Sequence, residues 1–299
     1  MRSKKRGRGD SMADKNDFAD LHVHTDRSDG IFSPRKVVEK AVEIGLGAIA
    51  LTDHDSVDAI GMSIEAAEGQ DIEIIPGVEI SATKGEGEVH ILGYFVDPRD
   101  RAFLDFLSVQ KRSRVERMEQ MLALLASSGI TVPKEKVFSA EAGGTVGRLH
   151  LARIMAEERL VGDVYEAFDR YIGDGKPCYV GHKKPSHIEA VSIIKDAGGV
   201  PVLAHPGGSV KDEALMDHVE AGVMGIEVYH TKHSPADSAK YLAFAEEHGL
   251  IATGGSDCHG DTRKGKILLG KVRVGKETVE ALRAASEKVK EANRARGHL

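Results

Sequence analysis

The stretch Phe18-Ala19-Asp20-Leu21-His22-Val23-His24 decides how the rest of the chain is read. It is a short apolar run that ends in two imidazoles, two residues apart. Side chains alternate between faces along an extended strand, so His22 and His24 leave on the same side. Outward along the chain the arrangement recurs. Ala48-Ile49-Ala50-Leu51 runs into Thr52-Asp53-His54, the run from Ile72 to Ile80 carries Gly77-Val78-Glu79, and Val200 to Ala204 leads into His205. Another run, Leu250-Ile251-Ala252-Thr253, precedes Ser256-Asp257-Cys258-His259. Amphipathic helical stretches alternate with such runs, the signature of a βα-repeat fold. In a parallel barrel the C-terminal strand ends converge on one mouth, so these clusters are expected to meet there.

The intervening segments fit this frame. Ser33-Pro34 reads as a helix N-cap and N1 proline, with Val37, Val38, Ala41, Val42 and Ile44 as the apolar face. A second helix is expected from about Val57 to Glu68, and strands over 72–80 and 89–96. His90 opens the latter run, which fits a strand running the other way or a loop entering the mouth. After Asp97-Pro98 the pattern changes abruptly to helical periodicity, with a long helix over about 102–127 and shorter ones near 147–159 and 163–171. The βα rhythm resumes at Ile188–Ala197 and continues through 225–229, a closing segment near 267–274 and a last helix over about 277–293. The expected organisation is an α/β barrel over 18–98 and 183–299, an all-helical insertion over 99–182, and a basic solvated tail over 1–17.

Composition sets the class. The chain has 299 residues, of which 41% are hydrophobic and 29% charged, enough for a large buried core. A net charge of -6 argues against a general nucleic-acid coat and leaves room for a local positive pocket. Cys178 and Cys258 are the only cysteines, so no disulfide framework is implied and a reducing cytoplasm is expected. No apolar stretch is long enough to span a bilayer. The N-terminal MRSKKRGRGD is followed by a polar segment and lacks the apolar core of a secretory signal; Met12 is an alternative natural start.

Nine residues stand out as candidate metal ligands: His22, His24, Asp29, His54, Glu79, His90, His205, Asp257 and His259. One ion with four to six places cannot use them all, whereas two or three ions could, with Glu79 as a bridge. Three divalent ions against three carboxylates leave a formal surplus of about +3, which calls for a hydroxide and a polyanion such as phosphate. The implied chemistry is metal-assisted hydrolysis of a phosphoester, with hydroxide generated from a water of lowered pKa.

The set HVHTDRSDG (22–30), LTDHD (51–55), PGVEIS (76–81), HILGYF (90–95), LAHPG (203–207) and GGSDCHG (254–260) closely resembles the PHP (polymerase and histidinol phosphatase) family of metal-dependent phosphoesterases. The likeness covers about 18–98 and 188–275. It implies a distorted (β/α)7 barrel holding three divalent ions. By that resemblance the first takes His22, His24, Glu79 and Asp257, the second Glu79, His90 and His205, and the third Asp29, His54 and His259. Manganese is the expected ion, with iron or zinc as alternatives, since imidazole and carboxylate ligands accept all three. Gly147-Arg148-Leu149-His150 and the segment EAFDRYIGDGKPCYV (166–180) resemble the branch that includes nucleoside 3',5'-bisphosphate phosphatases, 5'-3' oligoribonucleases and 5'-nucleotide phosphatases. In that branch the helical insertion lids the mouth and offers an arginine to substrate phosphate, a role that falls on Arg148 here.

The expected activity is therefore removal of a phosphate from a nucleotide, most specifically the 3'-phosphate of a nucleoside 3',5'-bisphosphate. Exonucleolytic attack on short RNA 5' ends, AMP hydrolysis and histidinol phosphate hydrolysis are the enzymatic alternatives. A non-catalytic metal-binding module would be a different class, and an amidohydrolase would want a strand-borne lysine where Glu79 stands. The expected partner is a small phosphorylated substrate, with no membrane and no stable nucleic-acid complex. His230, which closes the Val228-Tyr229-His230 run, is a candidate substrate contact. Asp53 and Asp55 read as support for His54 or as helix caps, and Cys258 as buried packing. Arg112, Arg114 and Arg117 lie on the long helix and could face the mouth, but a solvated helix face is the preferred reading.

Overall fold

The computed structural model describes residues 17–85, 87–138, 144–181, 183–207, 210, 212–260 and 267–297; nearly all of the basic tail, including Met12, as well as His182 and His298, lies outside them. Seven strands curl into a barrel: β1 (Phe18–Val23), β2 (Ala48–Leu51), β3 (Glu73–Lys84), β4 (Gly87–Tyr94), β5 (Val200–Leu203), β6 (Gly225–His230) and β7 (Ile251–Gly255). Their spatial order follows the chain, and a two-residue β8 (Val274–Gly275) lies antiparallel on β1. Pairing is parallel from β1 to β3 and from β5 to β7, while β4 runs antiparallel to both neighbours. That reversal places His90 on a strand running the other way. It also distorts the βα rhythm, because β3 and β4 form a hairpin with no helix between them. The closing strand expected over 267–274 is reduced to Val274–Gly275, since Gly270 at φ 68 and the preceding turn occupy the rest.

The barrel shuts where the segment after β7 meets β1. Val23 bridges Cys258, and the His24 N–H donates to the Cys258 carbonyl at 3.0 Å. Buried Asp20 reinforces the seam by accepting from the backbone N–H groups of Ser256 and Gly270, each at 2.8 Å. Gly255 is required there, because a Cβ on it would stand 2.3 Å from the His22 Cβ. Inside the barrel Leu21, Ala50, Ile75, Leu92, Tyr94 and Val202 fill the floor beneath the mouth. The Tyr94 hydroxyl donates to the Leu21 carbonyl at 2.9 Å.

Helices cover the outside. In α1 (Pro34–Glu43) Ser33 accepts from the Lys36 N–H at 3.3 Å and Val37, Val38 and Ala41 are buried. Ile44 falls after the last turn and is exposed, so the apolar face is shorter than the sequence pattern suggests. Next comes α2 (Ala59–Ala67), followed after β4 by α3 (Arg101–Ser127), α4 (Lys134–Val137), α5 (Arg148–Glu157) and α6 (Val164–Ala167). A π-helical turn over Phe168–Ile172 ends this all-helical stretch. It has its own apolar cluster, including Met121, Leu125, Leu151, Met155 and Ile172. The long α3 belongs to both bodies, since Phe103 and Leu107 pack into the barrel cluster and Met118 and Leu122 into the helical one. The remaining helices are α7 (His187–Asp196), α8 (Leu215–Glu220), α9 (Pro235–His248) and α10 (Lys276–Ala295). Among the described residues, no helix is long and apolar enough to cross a membrane.

Two glycines with opposite surroundings test the closure. Gly255→Ala should lower unfolding free energy by about 3 kcal/mol, the upper end for overpacking a well-filled site. Gly61→Ala, inside α2 with open space around its would-be Cβ, should raise it by ~1 kcal/mol. Urea unfolding of both variants measures the pair; equal effects would mean that the β1–β7 contact is not tight.

Candidate metal centre

Strand ends and the loops after them bring all nine sequence candidates to the barrel mouth, around one carboxylate. Glu79 is 1% exposed. Its Oε2 lies 3.2 Å from His22 Nε2, 3.2 Å from His24 Nε2 and 3.3 Å from His54 Nδ1. Its Oε1 lies 2.7 Å from His90 Nδ1 and 2.9 Å from His205 Nε2. Asp29 faces His259 Nε2 at 3.1 Å, with His54 Nε2 and His24 Nδ1 each at 3.8 Å. Asp257 faces His24 Nε2 at 3.3 Å and His22 Nε2 at 3.6 Å.

Five imidazoles on one carboxylate exceed the roughly four lone-pair directions it has to offer. The misfit appears in the hydrogen bonding. Both ring nitrogens of His24, and Nδ1 of His54, are buried without an aligned hydrogen-bond partner, although carboxylates stand close by. Buried polar atoms are normally satisfied. Divalent cations between the rings and the carboxylates would satisfy them. Among the described residues, four overlapping sets have candidate ligand atoms within 4.8 Å of one another. Three include the His24 or His54 rings, namely His22, His24, Glu79 and Asp257; His54, Glu79 and His90; and His24, Asp29, His54 and His259, while the fourth is His22, Glu227 and His230.

The electrostatics of the metal-free cluster are divided. Burial opposes every charge here, yet the surrounding imidazoles hold Glu79, Asp29 and Asp257 well below the usual carboxylate range. Against burial, Asp257 and Glu79 hold His24 up at about 10, and Glu79 holds His90 at about 9. Burial pushes His54 down to about 3 and also lowers His205. Some rings are thus cations and others neutral within one small space, as expected where too few anions serve too many imidazoles.

Local structure holds the donors in place. Buried Asp53 accepts from the Thr25 N–H at 2.8 Å, from Thr25 Oγ1 at 2.7 Å and from Ser28 Oγ at 2.5 Å, which fixes the loop that presents Asp29. It supports that loop and caps no helix. Gly30 lets the loop double back, because a Cβ there would stand 2.8 Å from the His24 carbonyl oxygen. Arg153 of α5 donates to the Asp29 carbonyl from the other side. His205 and Asp257 adopt φ 25 and φ 53, left-handed values that non-glycine residues rarely take. The segment after β7 is therefore not extended, and a turn brings Asp257 Oδ1 to 3.5 Å from His259 Nδ1.

A basic pocket opens beside this cluster. Arg114, Arg117, Arg148, Phe168 and Lys184 line it together with Asp29, His54 and His90. Arg114 and Arg117 were expected on a solvated face; both are buried, because α3 lies across the mouth. Arg114 pairs with Asp55 at 2.6 Å and donates to Ser81 Oγ at 2.8 Å. Burial, then Arg148 and Arg114, push Arg117 down to about 10. Arg148 lies 5.3 Å from the Tyr179 ring centroid and pairs with Asp174 at 2.7 Å. Lys184 pairs with Glu88, which also meets His90 Nε2 at 3.1 Å. His230, expected as a substrate contact, has no exposed side-chain surface and faces Asp257 Oδ2 at 3.3 Å. Glu227, absent from the sequence reading, contacts His22. Its signal was a lone acid inside the apolar run Gly225-Ile226-Glu227-Val228.

A barrel mouth crowded with imidazoles and carboxylates, next to a basic pocket, defines a metal-dependent phosphoesterase. Comparison with known proteins agrees. Residues 20–173 match the PHP domain model, and the chain belongs to that family. It is 35% identical to the 3',5'-nucleoside bisphosphate phosphatase of Chromobacterium violaceum, over 83% of this chain and 89% of that protein. It is 33% identical to the 5'-3' exoribonuclease Rnm of Escherichia coli, over 80% of this chain and 84% of that protein. A solved structure from Bifidobacterium adolescentis, assigned as a metal-dependent phosphoesterase, superposes with a TM-score of 0.82 at 29% identity, covering 89% of this chain and 96% of that one.

The divided electrostatics predict an unusual pH profile for the metal-free protein. His24 and His90 have folded values above the unfolded 6.5, so their contribution is complete below pH 6.5 and is lost as pH rises toward 9 and 10. His54 has the opposite sign, and stability falls as pH drops from 6.5 toward 3. Chelator-treated protein should melt at its highest temperature near pH 6.5. Added divalent ion, which needs deprotonated ligands, should instead stabilise increasingly toward pH 8. Melting curves across pH with and without chelator decide this; superimposable profiles would refute it.

Proposed function

We propose that the protein removes a phosphate from a nucleotide, and that its preferred substrate is a nucleoside 3',5'-bisphosphate losing the 3'-phosphate. One observation carries the reading: a carboxylate-poor, imidazole-rich cluster stands beside a pocket lined by three arginines and a lysine. In this proposal three divalent ions, manganese by preference, are held by His22, His24, Glu79 and Asp257; by Glu79, His90 and His205; and by Asp29, His54 and His259. Bound there, the ions would supply Lewis acidity to phosphoryl oxygens and acidify a water.

The chain's own residues do the rest. Two phosphates on one substrate need two anion sites. The metal centre takes the one to be cleaved. The other is gripped in the basic pocket by Arg148 and Arg117, whose planar guanidinium groups match phosphate oxygens. Asp174, largely exposed, is displaced from Arg148 by the more highly charged group. Phe168 and Tyr179 add aromatic surface at the same place. The helical stretch over 99–182 acts as the lid, and the two free cysteines suit a reducing cytoplasm. The names of the Chromobacterium and Escherichia relatives support a nucleoside bisphosphate or an RNA as substrate.

Protein loaded with manganese should hydrolyse 3',5'-bisphosphoadenosine faster than AMP, a short 5'-phosphorylated RNA or histidinol phosphate. Arg148→Ala should raise KM for the bisphosphate about 10- to 100-fold, the equivalent of ~1.5–3 kcal/mol of charge-assisted hydrogen bonding, and leave a small aryl phosphate almost unaffected. Preference for the RNA would transfer the reading to the exoribonuclease alternative. Failure on all four substrates would sink it.

A further inference from the structure

Strand β6 offers none of the nine candidate ligands, yet two of its side chains reach into the cluster. In regular alternation Glu227 and Tyr229 would share a face. A register shift between Glu227 and Tyr229 against β7 breaks the alternation, leaving Tyr229 exposed and turning His230 inward beside Glu227. Such bulges re-aim side chains at functional sites.

Glu227 is fully buried. Its Oε1 lies 3.0 Å from His22 Nδ1, and its Oε2 accepts from the His205 backbone N–H at 2.8 Å. An ionised carboxylate only accepts, so the hydrogen must sit on His22 Nδ1. The other nitrogen, Nε2, faces Glu79 and Asp257 at 3.2 and 3.6 Å; it donates to Glu79 while protonated and is the nitrogen left to offer a lone pair to a divalent ion once that proton is gone. The second contact anchors a residue at φ 25, a left-handed value that non-glycine residues rarely adopt. His230 works alongside. Its Nδ1 accepts from the Lys232 N–H at 3.2 Å, which leaves Nε2–H to face Asp257 Oδ2. A buried anion is expensive and would not persist in an apolar strand without a task of this kind.

We propose that Glu227 is a positioning residue for the metal centre, fixing the His22 tautomer and the His205 backbone so that both rings present their Nε2 atoms to a divalent ion. The proposal rests on the metal-centre reading above. Glu227→Gln keeps the volume and removes the double acceptor, because one arm of the amide now donates. Either His22 Nδ1–H or the His205 N–H then loses its partner.

Manganese alone is titrated calorimetrically into chelator-stripped wild type and E227Q, and the melting temperature of each stripped protein is recorded. Nitrogen-15 spectra of histidine-labelled, zinc-loaded protein report the His22 tautomer. The expected result is a 10- to 100-fold loss of affinity for the most tightly held ion, with the melting temperature of the stripped form changed little. In the wild-type spectrum the His22 Nδ1 proton should be present and slow to exchange, and in E227Q it should exchange rapidly or vanish. Unchanged affinity with an unchanged spectrum overturns the proposal. So does an equal weakening of every ion together with a large fall in melting temperature, which would mark Glu227 as purely structural. Wild type that binds no divalent ion would remove the metal-centre reading itself, an outcome distinguishable from failure of the E227Q arm alone.

Discussion

One carboxylate surrounded by five imidazoles is the constraint on which the rest of the molecule depends. Glu79 has its two oxygens within 3.3 Å of His22, His24, His54, His90 and His205, contributed by β1 and the residue after it, the segment after β2, β4 and the segment after β5. Bringing those rings together without cations leaves buried nitrogens unaligned and rings divided between charged and neutral forms. Such a cluster is a poor core and a good ligand field. The fold around it is correspondingly rigid: Gly255 seats β7 on β1, Asp20 pins the seam, and Asp53 ties down the loop of Asp29.

Much of this was legible in the sequence because its physics is local. Apolar runs that end in His or Asp mark strand ends whatever the rest of the chain does, so the βα rhythm and all nine candidates could be read before any packing was known. The antiparallel β4 was only half legible: His90 at the start of its run fits either a reversed strand or a loop entering the mouth, and the pairing with β3 and β5 decides for the strand. What escaped depended on distant packing. Arg114 and Arg117 look like any charged helix face, and only the crossing of α3 over the mouth turns them inward. His230 follows the strand pattern up to a bulge, and bulges leave little trace in composition. Glu227 was visible as an acid in an apolar run, but its meaning needed His22 opposite it.

The surplus of positive potential is built in two layers of different kind. The inner layer is conditional, since it depends on ions held by the cluster and on the protonation of rings. The outer layer is permanent. Arginine keeps its charge under any ordinary condition, and the crowding that pushes Arg117 down to about 10 leaves it a cation at neutral pH. A phosphoester that must be gripped at one phosphate and cleaved at another suits this division, because holding and cleaving draw on separate charges. A single-phosphate substrate would use only one layer.

The bridge between the layers limits how the site can move. Arg114 reaches from α3 to Asp55, the residue after His54, and to Ser81, two residues after Glu79. Both ends of this pair are nearly inaccessible to water, at 8% and 1% side-chain exposure, so separating them would strand a charge in a dry interior at a cost of several kcal/mol. Phe103 and Leu107 hold the same stretch of α3 in the barrel's apolar cluster. The first half of α3 is therefore fixed to the barrel by one buried charged pair and by apolar packing, while Met118 and Leu122, further along the same unbroken helix, pack into the second apolar cluster. Arg117, one turn further along α3, donates instead to the Val180 carbonyl at 2.8 Å, so one helix ties Arg114 to the segments carrying His54 and Glu79 and Arg117 to the end of the helical stretch.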